Sequence, residues 1–118
     1  MWDQFRRLLL GTVIEVLLEH DVEVDFKSIE IVFDRESKFN VPRLNNYMRF
    51  KGSLRARAVS EVPTSTQRAL TSAMRATWPQ LLKVVDIPIG DRLTPERTVV
   101  QVGVTDGVLI VAFDLEAD

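Results

Sequence analysis

The sequence contains no cysteine, and this absence excludes several kinds of chemistry at once. Without thiols there is no disulfide framework, no cysteine nucleophile, and no zinc or iron–sulfur site held by cysteine. The phosphate-loop, dinucleotide and hydrolase motifs are missing too, and the chain has a single histidine. We therefore predict no cofactor, no metal and no catalytic site, and we expect the protein not to be an enzyme.

Long uninterrupted apolar runs are also missing. The apolar stretch in the first twenty residues is broken by Arg6, Arg7 and Glu15 and has no small-residue cleavage pattern. We expect it to be neither a signal peptide nor a membrane span. At 118 residues the chain is long enough to bury a hydrophobic core without disulfides or metals, so residues 1–118 are predicted to form a single domain.

Acidic residues are nearly absent from residues 35–57, which carry seven basic residues against Glu36 alone. Residues 1–34 have a net charge of −5 and residues 58–118 a net charge of −3. The overall charge of −2 therefore conceals a dipolar surface. Such a surface is typical of head-to-tail association, in which a basic face meets an acidic one.

Within this basic segment, cations alternate with apolar residues in the period of a half-buried strand. The cations form what we call the basic stripe: Arg49, Lys51, Arg55 and Arg57. The stripe is the candidate contact site for a partner protein or a polyanion. Pairing with a neighbouring strand is the alternative, because Glu30 and Asp34 could neutralise two of the four cations.

An amphipathic helix of about five turns is predicted from Trp2 to His20. Leu10, Ile14 and Leu18 widen its apolar face beyond what one small sheet needs. Either this helix is deeply buried, or that flank contacts another subunit.

The next segments predict a hairpin with a long loop. Residues 22–26 read as an approach segment, the alternation changes phase at Lys27 and Ser28, and residues 29–33 form a strand. A loop is predicted over residues 35–46, followed by the basic strand from Tyr47 to about residue 61.

A second helix is predicted after Pro63, with Thr64 and Gln67 at the spacing of a capping box. Pro79 is expected to kink or restart this helix, with Thr77 as a new cap and a shorter helix over residues 79–84. Residues 86–97 read as an irregular connection.

The chain ends in a predicted hairpin, because Asp106-Gly107 favours a two-residue type I′ turn between residues 98–105 and 108–115. One face of this hairpin supplies core residues. The other face, which includes Val108 and Ile110, is too apolar to be left in water, so we expect a second subunit to cover it. The predicted fold is α+β in the order α-β-β-α-β-β, with helices packed on one face of a mostly antiparallel sheet.

Two short patterns invite a metal-site hypothesis. His20 precedes alternating acidic residues, and Glu36-Ser37-Lys38 has the Glu-x-Lys spacing of metal-dependent nucleases. We interpret the first as a helix C-terminus followed by a hydrated strand face. We interpret the second as part of a polar loop.

The succession of elements resembles that of the tail terminator proteins of long-tailed phages. The resemblance rests on a first helix closing in Leu18-Glu19-His20-Asp21, a long basic strand running into Pro63, and a final hairpin at Asp106-Gly107 that ends in Phe113-Asp114-Leu115. Those proteins form hexameric rings that cap the tail tube and join it to head-completion proteins. The resemblance implies a ring-forming assembly protein, cytoplasmic or associated with a virion.

We therefore predict a structural subunit whose partners are further copies of itself and other assembly proteins, with no membrane contact. Self-association is expected through Leu10, Ile14 and Leu18 of the first helix or through Val108 and Ile110 of the last hairpin. The alternative is a small nucleic-acid-binding or host-factor-inhibiting module that uses the basic stripe.

Overall fold

A computed structural model describes the backbone of residues 2–38, 47–84 and 98–117, and the side chains of residues 3–33, 51–81 and 99–114. The elements are α1 (Trp2–Glu19), β1 (Val24–Lys38), β2 (Tyr47–Ala58), α2 (Thr64–Val84), β3 (Thr98–Thr105) and β4 (Val108–Ala117). The four strands form an antiparallel sheet in the order β1-β2-β4-β3, and the helices pack against it. The predicted α+β class and element order are confirmed.

Every one of these elements contributes to one buried core. Fully or almost fully buried members, taken one from each element, are Leu9, Val24, Leu54, Leu70, Val100 and Leu109. In the strands, buried residues alternate with exposed ones, so one face of the sheet meets the helices and the other does not.

Aromatic rings close one end of this core. The Phe5 ring lies 5.3 Å from that of Phe33 and 6.1 Å from that of Phe113, both edge-on. Trp78 of α2 packs 5.1 Å from Phe113 on the other side. These rings bridge α1, β1, β4 and α2, and the Phe113 ring lies over Gly52 of β2. Close packing of this kind is sensitive to the loss or gain of a single side chain.

The predicted first helix is confirmed, and it ends in a Schellman motif. Val22 N–H donates to Leu17 O (2.9 Å) and Asp21 N–H donates to Leu18 O (3.2 Å). Asp21 has a φ of 54°, the left-handed conformation that this motif requires and that a side chain disfavours.

Asp21→Gly is therefore expected to be about 1 kcal/mol more stable to urea than Asp21→Ala. Both variants remove the same carboxylate from a helix C-terminus, so their difference isolates the backbone conformation. Equal midpoints for the two variants would contradict the Schellman assignment.

The change of phase predicted at Lys27 and Ser28 is a bulge in β1. The register to β2 shifts between Asp25 and Glu30. The Asp25 carboxylate accepts Lys27 N–H (3.0 Å), while Ser28 Oγ donates to Asp25 O (2.6 Å) and accepts Arg57 N–H (2.8 Å). The Ser28 hydroxyl thus replaces a backbone carbonyl in the ladder, which is how the strand absorbs extra residues.

Two predicted strand boundaries are wrong. Residues 35–38 are not loop: β1 continues to Lys38, which pairs with Tyr47, and residues 39–46 lie outside the described residues. β2 ends at Ala58, short of residue 61. On that side β4 starts at Val108, opposite Arg57, and the next bond, from Ala58 N–H to Gly107 O (2.8 Å), is already to the turn.

The start of α2 after Pro63 is confirmed, but the capping contact differs. Gln67 N–H donates to Pro63 O (3.1 Å), and the Gln67 side-chain amide donates to Val62 O (3.1 Å). The amide of Gln67 therefore reaches back beyond the position that a capping box would use.

The predicted restart of the helix at Pro79 is wrong, because α2 runs through Pro79 to Val84 without interruption. Pro79 and Arg75 are both exposed, so the Arg75 carbonyl that loses its helical donor lies on the water side. Thr77 is not a cap: its hydroxyl donates to Ala73 O within the helix (2.8 Å). The predicted connection over residues 86–97 lies outside the described residues.

The terminal hairpin is confirmed. Asp106 and Gly107 have φ values of 52° and 74°, as a type I′ turn requires, and Thr105 pairs with Val108. β4 extends to Ala117, two residues beyond the predicted end.

Candidate functional site

The face of the sheet that points away from the helices, here called the outer face, carries most of the residues singled out in the sequence. Its described members are Glu30, Val32, Lys51, Ser53, Arg55, Arg57, Val99, Gln101, Gly103, Thr105, Val108, Ile110, Ala112 and Asp114. All of them are exposed or half-buried, and no element of the described part of the chain covers them.

The basic stripe lies along β2, in the interior of the sheet. Lys51, Arg55 and Arg57 are exposed, in agreement with the predicted alternation, while Leu54 between them is buried. Arg49 belongs to the same strand, but its side chain lies outside the described side chains. A neighbouring strand on each side therefore decides the electrostatic environment of the stripe.

On the β1 side, every cation of the stripe has an acidic residue opposite it in the ladder. The pairs are Asp25 with Arg57, Glu30 with Arg55, Asp34 with Lys51, and Glu36 with Arg49. Residues directly opposite each other in an antiparallel pair are near neighbours on one face. Sequence reasoning found Glu30 and Asp34. It missed Asp25 because residues 22–26 were interpreted as an approach segment and not as paired strand, and it missed Glu36 because residues 35–38 were interpreted as loop.

On the β4 side, the partners of the stripe divide into two halves. Asp114 stands opposite Lys51 and Glu116 opposite Arg49, whereas Arg55 faces Ile110 and Arg57 faces Val108 in the ladder. One half of the stripe thus runs between acids on both sides, and the other half runs between acids and apolar residues. Opposite charges at a solvated surface attract weakly, but they cancel the field that a polyanion would feel.

A depression of about 380 Å³ lies in the middle of the outer face. Val32, Ser53, Ala112 and Gln101 follow one another across the four strands and line it. The central strands contribute the short side chains of Ser53 and Ala112, and the edge strands contribute the longer ones. Ser53 and Ala112 therefore form the floor of the depression, and the longer side chains of the edge strands form its rim, where Val32 is 54% exposed.

The residues predicted for self-association lie on two separate surfaces. On the flank of α1, Leu10 and Ile14 are half-buried, with Leu10 packed against the core, while Leu18 is 68% exposed, so the burial of this flank is partial. Val108 and Ile110 are half-buried on the outer face, on the other side of the sheet. The structure does not bring these two groups together.

His20 lies just beyond the end of α1, as expected from the sequence, whereas the Glu-x-Lys pattern lies in a strand and not in a loop. His20 Nδ1 lies 3.1 Å from Thr66 Oγ1, a hydroxyl that is fully buried at the start of α2. Glu36 and Lys38 belong to β1 and not to a polar loop, so the reason given for setting that pattern aside was wrong. Within the described ranges, no three histidine or acidic residues come together as a metal site.

Comparison with protein-family models, with curated proteins and with solved structures finds no match for this chain. Neither of the described helices is long and apolar enough to cross a membrane.

Proposed function

We propose that this protein is a non-enzymatic structural subunit that assembles with further copies of itself. The observation that carries the proposal is the outer face, which exposes Val32 (54%) and Val99 (47%) around a depression and leaves Ile110 only half-buried. An apolar patch of this kind, rimmed by charges, is typical of a surface that a partner protein covers.

The charges of the outer face suit a second copy of the same face. Basic residues occupy β2, and acidic residues stand opposite them on β1 and on the far half of β4. When two such faces meet across a two-fold axis, the basic row of one copy can approach an acidic row of the other. Like charges then need not oppose each other, and the apolar middle of each face is removed from water.

The same rows weigh against the nucleic-acid-binding alternative. Four cations are flanked in the ladder by acidic residues on β1, and two of them by acidic residues on β4 as well. A phosphate backbone approaching Lys51 would also approach Asp114. Nucleic-acid surfaces need an excess of positive charge along the binding path.

The finer role, a ring-forming tail terminator or connector-like protein acting with other assembly proteins, is part of this proposal. It is supported by the resemblance in element order described above. A two-fold contact alone closes a dimer, so a ring requires a second contact as well, and a native mass of six subunits would agree with this role.

The test is the native mass measured by light scattering across a concentration series, at about 50 and about 500 mM salt. We expect a multiple of the 13.5 kDa chain mass. The variant Arg55→Glu with Arg57→Glu should lower that mass, because it places acids opposite Asp25 and Glu30 and removes the basic row.

The matched control is Arg68→Glu with Arg75→Glu, which makes the same charge change on the exposed side of α2 and should leave the mass unchanged. A wild-type monomer at every concentration would contradict the proposal. DNA binding with a salt slope near −3.6, the value expected for four phosphate contacts and equal to about a 150-fold loss between 50 and 200 mM salt, would favour the alternative.

A further inference from the structure

The two edges of the described sheet differ in how well they are protected from pairing with another strand. β1 and β3 each have one strand neighbour among the described elements. β1 carries seven charged residues in fifteen and a bulge, both of which disfavour further pairing. β3, with the sequence TVVQVGVT, carries no charge, no proline and no register shift.

The turn geometry shows which backbone groups of β3 are available. In a hairpin closed by a two-residue turn, the residues flanking the turn exchange both hydrogen bonds, and every second pair does the same. Thr105 and Val108 are that pair, so Thr105, Gly103 and Gln101 bond to β4. The alternate residues are Val100, Val102 and Val104, and their N–H and C=O groups point away from β4.

The core layer is also incomplete at this edge. Val100 is 5% exposed, but Val104, on the same face of the same strand, is 39% exposed. A strand added to β3 would lie beside Val104 and remove it from water. The burial of apolar area and the pairing of backbone groups that no described strand bonds would then favour the same contact.

We infer that β3 pairs antiparallel with β3 of a second copy of this chain, joining two sheets into one of eight strands. This inference rests on the proposed self-association and adds a contact at the sheet edge to the contact through the outer face. Because β3 has no charged residue, two copies of it can pair without repulsion between like charges. A two-fold axis near Val102 would place Val104 of one copy beside Val100 of the other. Pairing of β3 with the edge of β1 would instead meet the charged, bulged strand, so the contact is two-fold and not head-to-tail.

Amide hydrogen exchange tests this pairing residue by residue in the intact chain. The amides of Val100, Val102 and Val104 should exchange about tenfold or more slowly in concentrated than in dilute protein. Those of Gln101 and Gly103, already bonded to β4, should change little. The readout depends on backbone pairing, so packing through the outer face alone would not produce the alternation.

Two variants separate the edge from the outer face. Val104→Pro removes an outward donor at an edge position, and it should abolish the protection of Val100 and Val102 and lower the native mass. Ser53→Lys fills the centre of the outer face and should leave that protection in place. If the proline variant fails to fold, Thr105→Lys, which puts a charge on β3 away from the residues that line the depression, is compared with Gln80→Lys on the exposed side of α2.

The outcomes of these experiments distinguish the β3 pairing from self-association in general. A wild-type oligomer whose Val100, Val102 and Val104 amides exchange at the dilute rate would overturn the β3 pairing and leave self-association standing. A native mass that Val104→Pro leaves unchanged would likewise overturn the β3 pairing and leave self-association standing. A monomer at all concentrations would overturn both.

Discussion

Gly52→Ala is expected to lower the free energy of unfolding by about 3 kcal/mol, and the melting temperature by roughly 10 °C. A β-carbon at this position would meet the carbonyl oxygen of Val32, Cβ of Phe33 at 2.7 Å and Cζ of Phe113 at 2.8 Å. Phe33 and Phe113 are the ladder partners of Gly52 on its two sides. Because two of the three obstructing atoms belong to or adjoin the backbone, relief requires moving β1 away from β2.

The matched control is Gly103→Ala, in β3. A β-carbon there has no neighbour within 4 Å, so the same change should be neutral or stabilise by about 0.5 kcal/mol through the unfolded chain. Urea denaturation of both variants measures the difference. Similar losses at the two positions would show that the cost comes from replacing glycine in a strand and not from the close approach at Gly52.

The elements that could be predicted from the sequence are those whose signals are local. The turn at Asp106-Gly107 needs only the positive φ that these two residues tolerate, and the first helix follows from apolar spacing within eighteen residues. The change of phase at Ser28 was visible for the same reason. The length of β1 was not, because residues 35–38 are polar and form strand only by pairing with β2.

The environment of the basic stripe could be only half predicted, because it depends on contacts between distant parts of the chain. Chain order makes β1 the natural neighbour of β2, so Glu30 was found. That β4 lies on the other side of β2 follows from the strand order of the folded sheet, which places Asp114 beside Lys51 across more than sixty residues. No local pattern carries that information, and without it the stripe looks more positive than it is.

The edge position of β3 in the described sheet could not be predicted for a related reason. As a sequence, residues 98–105 read as one half of a hairpin, and nothing in them distinguishes an edge strand from an interior one. The strand order makes β4 the interior strand and β3 the edge. The lack of charge on β3 points to pairing with another strand only once β3 is known to lie at an edge, because proteins ordinarily protect edge strands with lysine, proline or a bulge.

Phe113→Ala is expected to cost about 3–5 kcal/mol, the range for removing a buried aromatic side chain. Phe113 is 2% exposed and its ring contacts those of Phe5 and Trp78, so it joins β4 to both helices. The control is Phe26→Ala, the same chemical change at a ring that is 62% exposed, and it should stay within about 0.5 kcal/mol of wild type.

Phe113 and Gly52 should also be coupled, because the Phe113 ring is one of the three groups that a β-carbon at position 52 would strike. The double variant Gly52→Ala with Phe113→Ala should therefore lose about 1 kcal/mol less than the two single losses taken together. The contacts with Val32 and Phe33 remain in that variant, so the relief is partial. Strict additivity in urea denaturation would mean that the strand ladder alone, without the ring, resists a side chain at position 52.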